Sequence, residues 1–273
     1  MDYSVKDVIQ KRRSVRTFSG EPLRPEDKQK LEEYAKSLEN PFRIPVEFRF
    51  LEAKEHGLSS PVIVGTDVYI AGKVSRVPQA EAAFGYSFEK FCLDAESIGV
   101  GTVMLASTMS RAAFEKAMEV KDTEVMLTVS PIGYPAEKMS VRETMMRKGV
   151  KANERLPFET LFFDSSFEQS LTTERAGQFR DALEMVRLAP SAVNKQPWRI
   201  VVCRDTVHFY EKRAKAMSNS ALGDIQKVDM GIAMVHFDLT LQEAGVKGCF
   251  VTKDPGFPLE DSMEYIVTYE VKQ

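Results

Sequence analysis

An α+β fold built from two tandem repeats is predicted for this 273-residue chain by three observations. Residues 85–100 align with 231–246 at a constant offset of 146, with Gly85/Gly231, Phe91/Phe237, Leu93/Leu239, Gly99/Gly245 and Val100/Val246 identical. Flanking segments pair in the same order: Leu31-Glu32 with Leu183-Glu184, Pro45 with Pro197, and 125–129 with 265–269. The offset drifts from 152 to 140 along the chain, as small loop deletions would produce. Strand and helix patterns interleave with few strand-helix-strand crossover cues, which favours segregated layers over a doubly wound sheet.

In chain order, residues 4–10 read as a short helix leading into a basic string. A second helix is expected over 24–38, with Pro25 in its first turn, where the missing N–H costs nothing. The alternation over 46–53 and the apolar run 61–65 read as strands, separated by a Gly- and Pro-punctuated loop from the helix centred on Gly85. The apolar spacing there is that of a buried helix stopped by Gly99. A short strand at 103–105, a helix at 111–118 and a strand ending near Tyr134 close the first repeat, taken as 1–140. Residues 141–164, charged and Met-rich with no repeat partner, form the connector. The second repeat, 165–273, then offers a short helix from Ser166, a helix at 175–188, a strand at 198–203, a variable helical stretch, the Gly231 helix and terminal strands.

Composition narrows the function classes. With 43% apolar and 10% aromatic residues the chain can bury a large core, so disorder is not expected. A net charge of −3 argues against nucleic acid as a partner, because phosphate backbones are bound by a basic face. Neither an apolar run of bilayer length nor a charged-then-apolar leader is present, which points to a cytoplasmic protein with no membrane partner. Cys92, Cys203 and Cys249 are odd in number and far apart, and read as small core residues in a reducing compartment. His56, His208 and His236 lack metal-ligand spacing, so no metal site is expected.

The repeats differ where chemistry would sit. The first carries Arg12-Arg13-Ser14-Val15-Arg16, and the second has Glu174-Arg175-Ala176-Gly177-Gln178 in its place. The second carries Pro190-Ser191-Ala192-Val193-Asn194, and the first has roughly Leu38-Glu39-Asn40-Pro41-Phe42. Each repeat has kept one half of a polar, cationic constellation and lost the other.

These two strings resemble the two halves of the flavin site in the FMN-dependent nitroreductase family, whose members are usually homodimers with the cofactor between subunits. The resemblance covers nearly the whole chain. It implies a nitroreductase-like fold in which one chain forms an intramolecular pseudo-dimer, acts as a monomer, and holds one FMN between its repeats. By position in the family motif, Arg12 would meet the phosphate, Ser14 the ribityl-phosphate region, and Arg16 the N1/O2 edge of the ring, with Arg13 beside them. Pro190, Ser191, Ala192 and Asn194 would close the site from the other repeat, and Gln196-Pro197-Trp198 would hold the strand entry. The family also places Leu105, Ala106 and Ser107 against the ring and gives Arg155, which precedes Leu156-Pro157, a phosphate contact; the usual basic residue two positions earlier is Asn153 here. The implied activity is ping-pong transfer of electrons from NADH or NADPH to a flat small molecule such as a nitroaromatic or quinone. No side chain serves as the catalyst, since flavin N5 carries the hydride. Two alternatives stay open: an FMN-binding sensor or storage protein without efficient turnover, and a specialised flavin enzyme such as a dehalogenase or ring dehydrogenase.

Overall fold

A computed structural model describes residues 3–214, 218–219 and 222–272. The first half runs α1 (Val5–Lys11), α2 (Pro25–Ser37), β1 (Val46–Glu52), α3 (Ala53–His56), β2 (Val68–Ser75), α4 (Ala80–Ser97), β3 (Gly101–Thr102), α5 (Arg111–Ala117), β4 (Glu124–Val125) and β5 (Val129–Gly133). After it come α6 (Val141–Gly149), α7 (Phe158–Leu161) and β6 (Phe162–Asp164). The second half follows with α8 (Arg180–Leu188), β7 (Trp198–Cys203), β8 (Thr206–Lys212), β9 (Ser218–Asn219), β10 (Gly223–Asp224), α9 (Ile225–Glu243), β11 (Gly248–Val251) and β12 (Met263–Val271).

The first sheet has the order β1-β2-β5-β3 and is antiparallel throughout, with β4 also pairing β2. In the second sheet β7-β8-β12-β11 repeats that order, and β6 joins its free edge parallel to β7. The chain therefore leaves the first half through the connector and ends the connector as an edge strand of the second sheet. One apolar core, including Phe84, Phe88, Phe91, Phe209 and Phe237, runs through both halves.

Two long helices hold the halves together. α4 and α9 are apolar nearly all round, as central helices are, and each is buried along most of its length. They cross at two glycines. A Cβ on Gly85 would lie 2.0 Å from the Val228 carbonyl oxygen, and one on Gly231 would lie 2.1 Å from that of Ala82. Each glycine thus meets the residue three before the other, the reciprocal pattern of a two-fold interface, here within one chain. Both helices also end alike. Gly99 and Gly245 take φ of +78° and +74°, and the next N–H, of Val100 or Val246, bonds back to Ala95 or Leu241 at 2.9 Å.

Several expectations need correction. The apolar run 61–65 is a turn with a single bridge at Val64, and the strand of that region is β2, which lies inside the stretch read as loop. The short helix expected from Ser166 is instead a turn followed by a single bridge at Ser170. The variable stretch after Cys203 is not helical where it is described: Thr206 begins β8, in which Val207, His208, Phe209, Tyr210 and Glu211 are all buried. The helix expected from Arg175 starts at Arg180, after a 3-10 turn over Gly177–Phe179, because Gly177 sits at φ +54°. Cys92 is buried, whereas Cys203 and Cys249 are only half-buried; all three are free thiols.

Glu211 is a fully buried acid whose oxygens accept no hydrogen bond among the described residues; Arg213 Nε forms an ion pair with it at 3.6 Å, too far to donate. Burial, reinforced by Asp224, pushes its carboxyl from 4.5 up to about 7. The folded state therefore holds this proton more tightly, and the associated stability is present in full below pH 4.5 and lost as pH rises through about 7. Glu211→Gln should match the parent at pH 4.5 and be more stable by about 2 kcal/mol at pH 8 in urea titrations. Gly231→Ala should cost about 3 kcal/mol or more, or prevent folding, because its methyl meets backbone atoms that cannot give way.

Candidate functional site

Arg12 is the C-cap of α1, and the chain beyond it is extended. Val15 N–H donates to Thr102 O at 2.9 Å, Phe18 N–H to Val64 O at 2.8 Å, and Val64 N–H to Arg16 O at 3.0 Å, so the basic string is pinned between β3 and the 61–65 turn. Alternate residues of extended backbone share a face; Val15 enters the core, which turns Ser14 and Arg16 the other way. The half-buried Ser14 hydroxyl makes no hydrogen bond among the described residues.

Buried carboxylates hold this string. Glu143 of α6, fully buried, accepts from Arg13 Nη1 at 3.0 Å and from the Arg16 backbone N–H at 3.3 Å. Arg13 is thereby committed to the protein rather than to a ligand. Glu89 of α4 places Oε1 3.0 Å from Arg12 Nε. That distance is an ion pair, yet the N–H is not aimed at the oxygen, so Arg12 Nε has no hydrogen bond.

The second string comes to the same place. Ser191 Oγ accepts from Gln196 N–H at 2.9 Å, and the Ala192 N–H donates to both oxygens of Asp229, at 3.0 and 3.1 Å. Burial pushes the Asp229 carboxyl well up, against the pull of that N–H. Val193, Asn194 and Gln196 all have positive φ, which for the β-branched Val193 is strained, so the loop is held by its surroundings. Asn194 Nδ2 donates to Lys151 O at 2.8 Å and Glu154 O at 3.0 Å, and Gln196 Oε1 accepts from Leu156 N–H at 2.9 Å. Arg155, between them, gives its terminal nitrogens to the carbonyls of Ala152, Glu154 and Leu188 and lies 3.5 Å from Asn194 Oδ1.

Five arginines from four segments converge here. Arg155 is lowered by burial and then by Arg187, Arg12 and Arg147; Arg16 is lowered by burial, against Glu143, and further by Arg147 and Arg12. Mutual repulsion of this kind requires proximity. Among the described residues, Arg12, Arg16 and Arg155 each keep a buried Nε without a hydrogen bond. Buried donors on like-charged groups are the mark of a site made for an anion, and the planar guanidinium suits phosphate.

Residues 105–107 are placed differently. Leu105 exchanges both backbone hydrogen bonds with Val129, at 2.7 and 3.1 Å, and its side chain packs in a second apolar cluster with Val103, Phe114 and Met126. The Ala106 carbonyl accepts from Arg111 Nη2 at 2.7 Å, and Ser107 is exposed. Among the described residues, no hydrogen bond or ion pair joins these three to Arg12, Arg16 or Arg155. A cleft of about 540 Å³ lined by Lys28, Phe50, Asp67 and Gly133 holds none of the strings, whereas a groove of about 330 Å³ adjoins them at Arg147, Lys151 and Asn153. Charge and orphaned donors mark the candidate site.

Residues 4–241 match the family model described as "Putative TM nitroreductase". The chain belongs to this nitroreductase family. Its structure resembles the crystal structure of a "putative nitroreductase" from Thermotoga maritima, with a TM-score of 0.65 and 19% identity over 99% of this chain and 94% of that one. More distant similarity, at TM-scores of 0.43 and 0.40, is found to a "Putative NADH dehydrogenase/NAD(P)H nitroreductase" from Bacteroides thetaiotaomicron (21% identity, 51% of this chain and 91% of that) and to an FMN-dependent nitroreductase from Clostridium difficile (15%, 49% and 88%). Comparison with curated proteins gives no match. No helix among the described residues is long and apolar enough to cross a membrane.

Sequence reasoning missed Glu89, Glu143, Arg147 and Asp229, and gave Gln196 a part only in the strand entry. Ser140-Val141-Arg142-Glu143 has the capping-box spacing, and Ser140 Oγ does accept from Glu143 N–H at 3.1 Å. The Glu143 side chain then turns to Arg13 instead of back to its own helix end. Glu89 and Asp229 carried a subtler signal, each being a carboxylate inside an otherwise apolar helix, which must find a partner.

The Arg16 side chain makes no hydrogen bond among the described residues, so its partial burial is a net cost without an anion. Arg16→Gln should raise the stability of the ligand-free protein by about 1 kcal/mol. It should also diminish the rise in Tm produced by added inorganic phosphate; an undiminished rise would remove Arg16 from the anion site.

Proposed function

We propose that this chain is an FMN-dependent oxidoreductase of nitroreductase type, holding one FMN between its halves. The family supports an oxidoreductase, and the observation that carries the cofactor is the set of three buried guanidinium nitrogens without a hydrogen bond on Arg12, Arg16 and Arg155, the last of them against Asn194. When bound, FMN supplies two-electron chemistry between NADH or NADPH and a flat acceptor such as a quinone or nitroaromatic. Arg12 and Arg155 hold the phosphate end, with Arg147 adding charge; Ser14 offers a free hydroxyl to the ribityl chain; Arg16 sets a cation against the ring's N1/O2 edge, where negative charge accumulates on reduction. Pro190, Ser191, Ala192 and Asn194 form the opposite wall, held by Asp229 and Gln196.

The repeated sheet order and the reciprocal glycine crossing support an internal duplication, with boundaries at 1–140, 141–164 and 165–273. They also favour a monomer, since the contact that a family dimer makes between subunits lies within the chain. The mirror-image position supports one site per chain. Arg175 there pairs with Asp164, Glu174 is exposed, and Asn40 spends its amide on Ile44 O and Ser87 Oγ.

Purified protein should show a flavin absorption spectrum and release one FMN per chain; two per chain, or none after reconstitution, would refute the reading. Turnover of NADH or NADPH with a quinone separates an enzyme from a storage protein. Arg16→Ala should lower the midpoint potential of the bound flavin, and an unchanged potential would remove Arg16 from the N1 edge.

A further inference from the structure

We propose that His236, on α9 of the second half, is a positioning residue for phosphate recognition, acting through Glu89 on Arg12. The inference rests on the flavin reading above but concerns a residue outside both strings.

Glu89 and His236 lie on the two central helices, one turn or so beyond the glycines at their crossing, and both are shut off from solvent. His236 is gripped at both edges. Its Nδ1 lies 3.0 Å from the Met185 carbonyl oxygen, which can only accept, so Nδ1 donates; its Nε2 lies 3.0 Å from Glu89 Oε1, and because a bare ring nitrogen and a carboxylate oxygen can both only accept, that bond carries a second proton between the two. The ring cannot rotate without losing both bonds. Glu89 Oε1 therefore has a fixed position, shared between His236 Nε2 and Arg12 Nε at 3.0 Å from each, while Glu89 Oε2 has no partner.

A free carboxylate beside an arginine closes a two-bond fork on the guanidinium. Here it does not: Oε1 is anchored to the imidazole, and the Arg12 N–H is left undirected. The histidine holds the carboxylate short of capturing Arg12, and the guanidinium keeps its donors for an incoming anion. With the imidazole removed, Glu89 is free to turn onto Arg12 and compete with phosphate. The part of the ligand affected is the phosphate alone, since the chain of contacts ends on Arg12.

The test compares FMN with riboflavin, which lacks the phosphate, by fluorescence titration of wild type, His236→Leu, His236→Asn and His236→Gln. In His236→Leu the preference for FMN over riboflavin should fall about tenfold, the worth of roughly one charge-assisted hydrogen bond, with riboflavin affinity unchanged. His236→Asn, polar but too short to reach Glu89, should show the same fall and serves if the leucine variant does not fold. The longer amide of His236→Gln can donate to Glu89 and should retain the preference. A preference unaltered in both the leucine and asparagine variants, or equal weakening of both flavins, would overturn the proposal while leaving the flavin reading intact. Failure of the wild type to bind either flavin would overturn both.

Discussion

The crossing of α4 and α9 is the constraint on which the rest of the molecule depends. Two glycines bring helix backbones to a separation that no side chain could share, and each faces the residue three before the other. Such contact allows little sliding, because interiors are packed as tightly as organic crystals. It sets where everything carried by the two helices must meet: Glu89 with His236, Asp229 with the loop at Ala192, and, through Glu89, the basic string that follows α1.

Each part of the arginine site is held by a buried acid. Glu89 stands against Arg12, Glu143 takes Arg13 and the Arg16 backbone, and Asp229 anchors the second string at Ala192. Buried charges are costly and rarely add net stability, but removing one partner leaves the other uncompensated, so they impose a specific arrangement. The result is a group of cations that repel one another and keep buried donors without hydrogen bonds among the described residues. Stability is given up locally at this cluster and supplied by a core that continues through both halves.

The connector has a part in this that its composition did not announce. Its first helix supplies Glu143 and Arg147, its middle supplies the Lys151 and Glu154 carbonyls that receive Asn194, and its end becomes β6 of the second sheet. Arg142 also donates to the Pro61 carbonyl, tying α6 to the turn that pins the basic string. A segment without a repeat partner is thus what joins the two strings, because two symmetric halves alone would present their complementary strings without a bridge between them.

Local pattern alone determined the repeat, the identity of the two central helices, the glycines that end them, and the strings around Arg12 and Ser191. Each of these is written in residues near one another in the chain: apolar spacing, a Gly at a helix end, four basic residues in six. It misjudged β2, hidden between glycines and prolines, and β8, whose alternation is blurred by His208 and Glu211 on a strand buried on both faces. Tertiary structure decided which acid faces which cation, that Arg13 belongs to Glu143, and that Leu105 packs in a separate cluster. Those outcomes follow from Coulomb and packing terms between residues far apart in sequence, where a lone carboxylate in an apolar helix declares the need for a partner and only the folded chain supplies one.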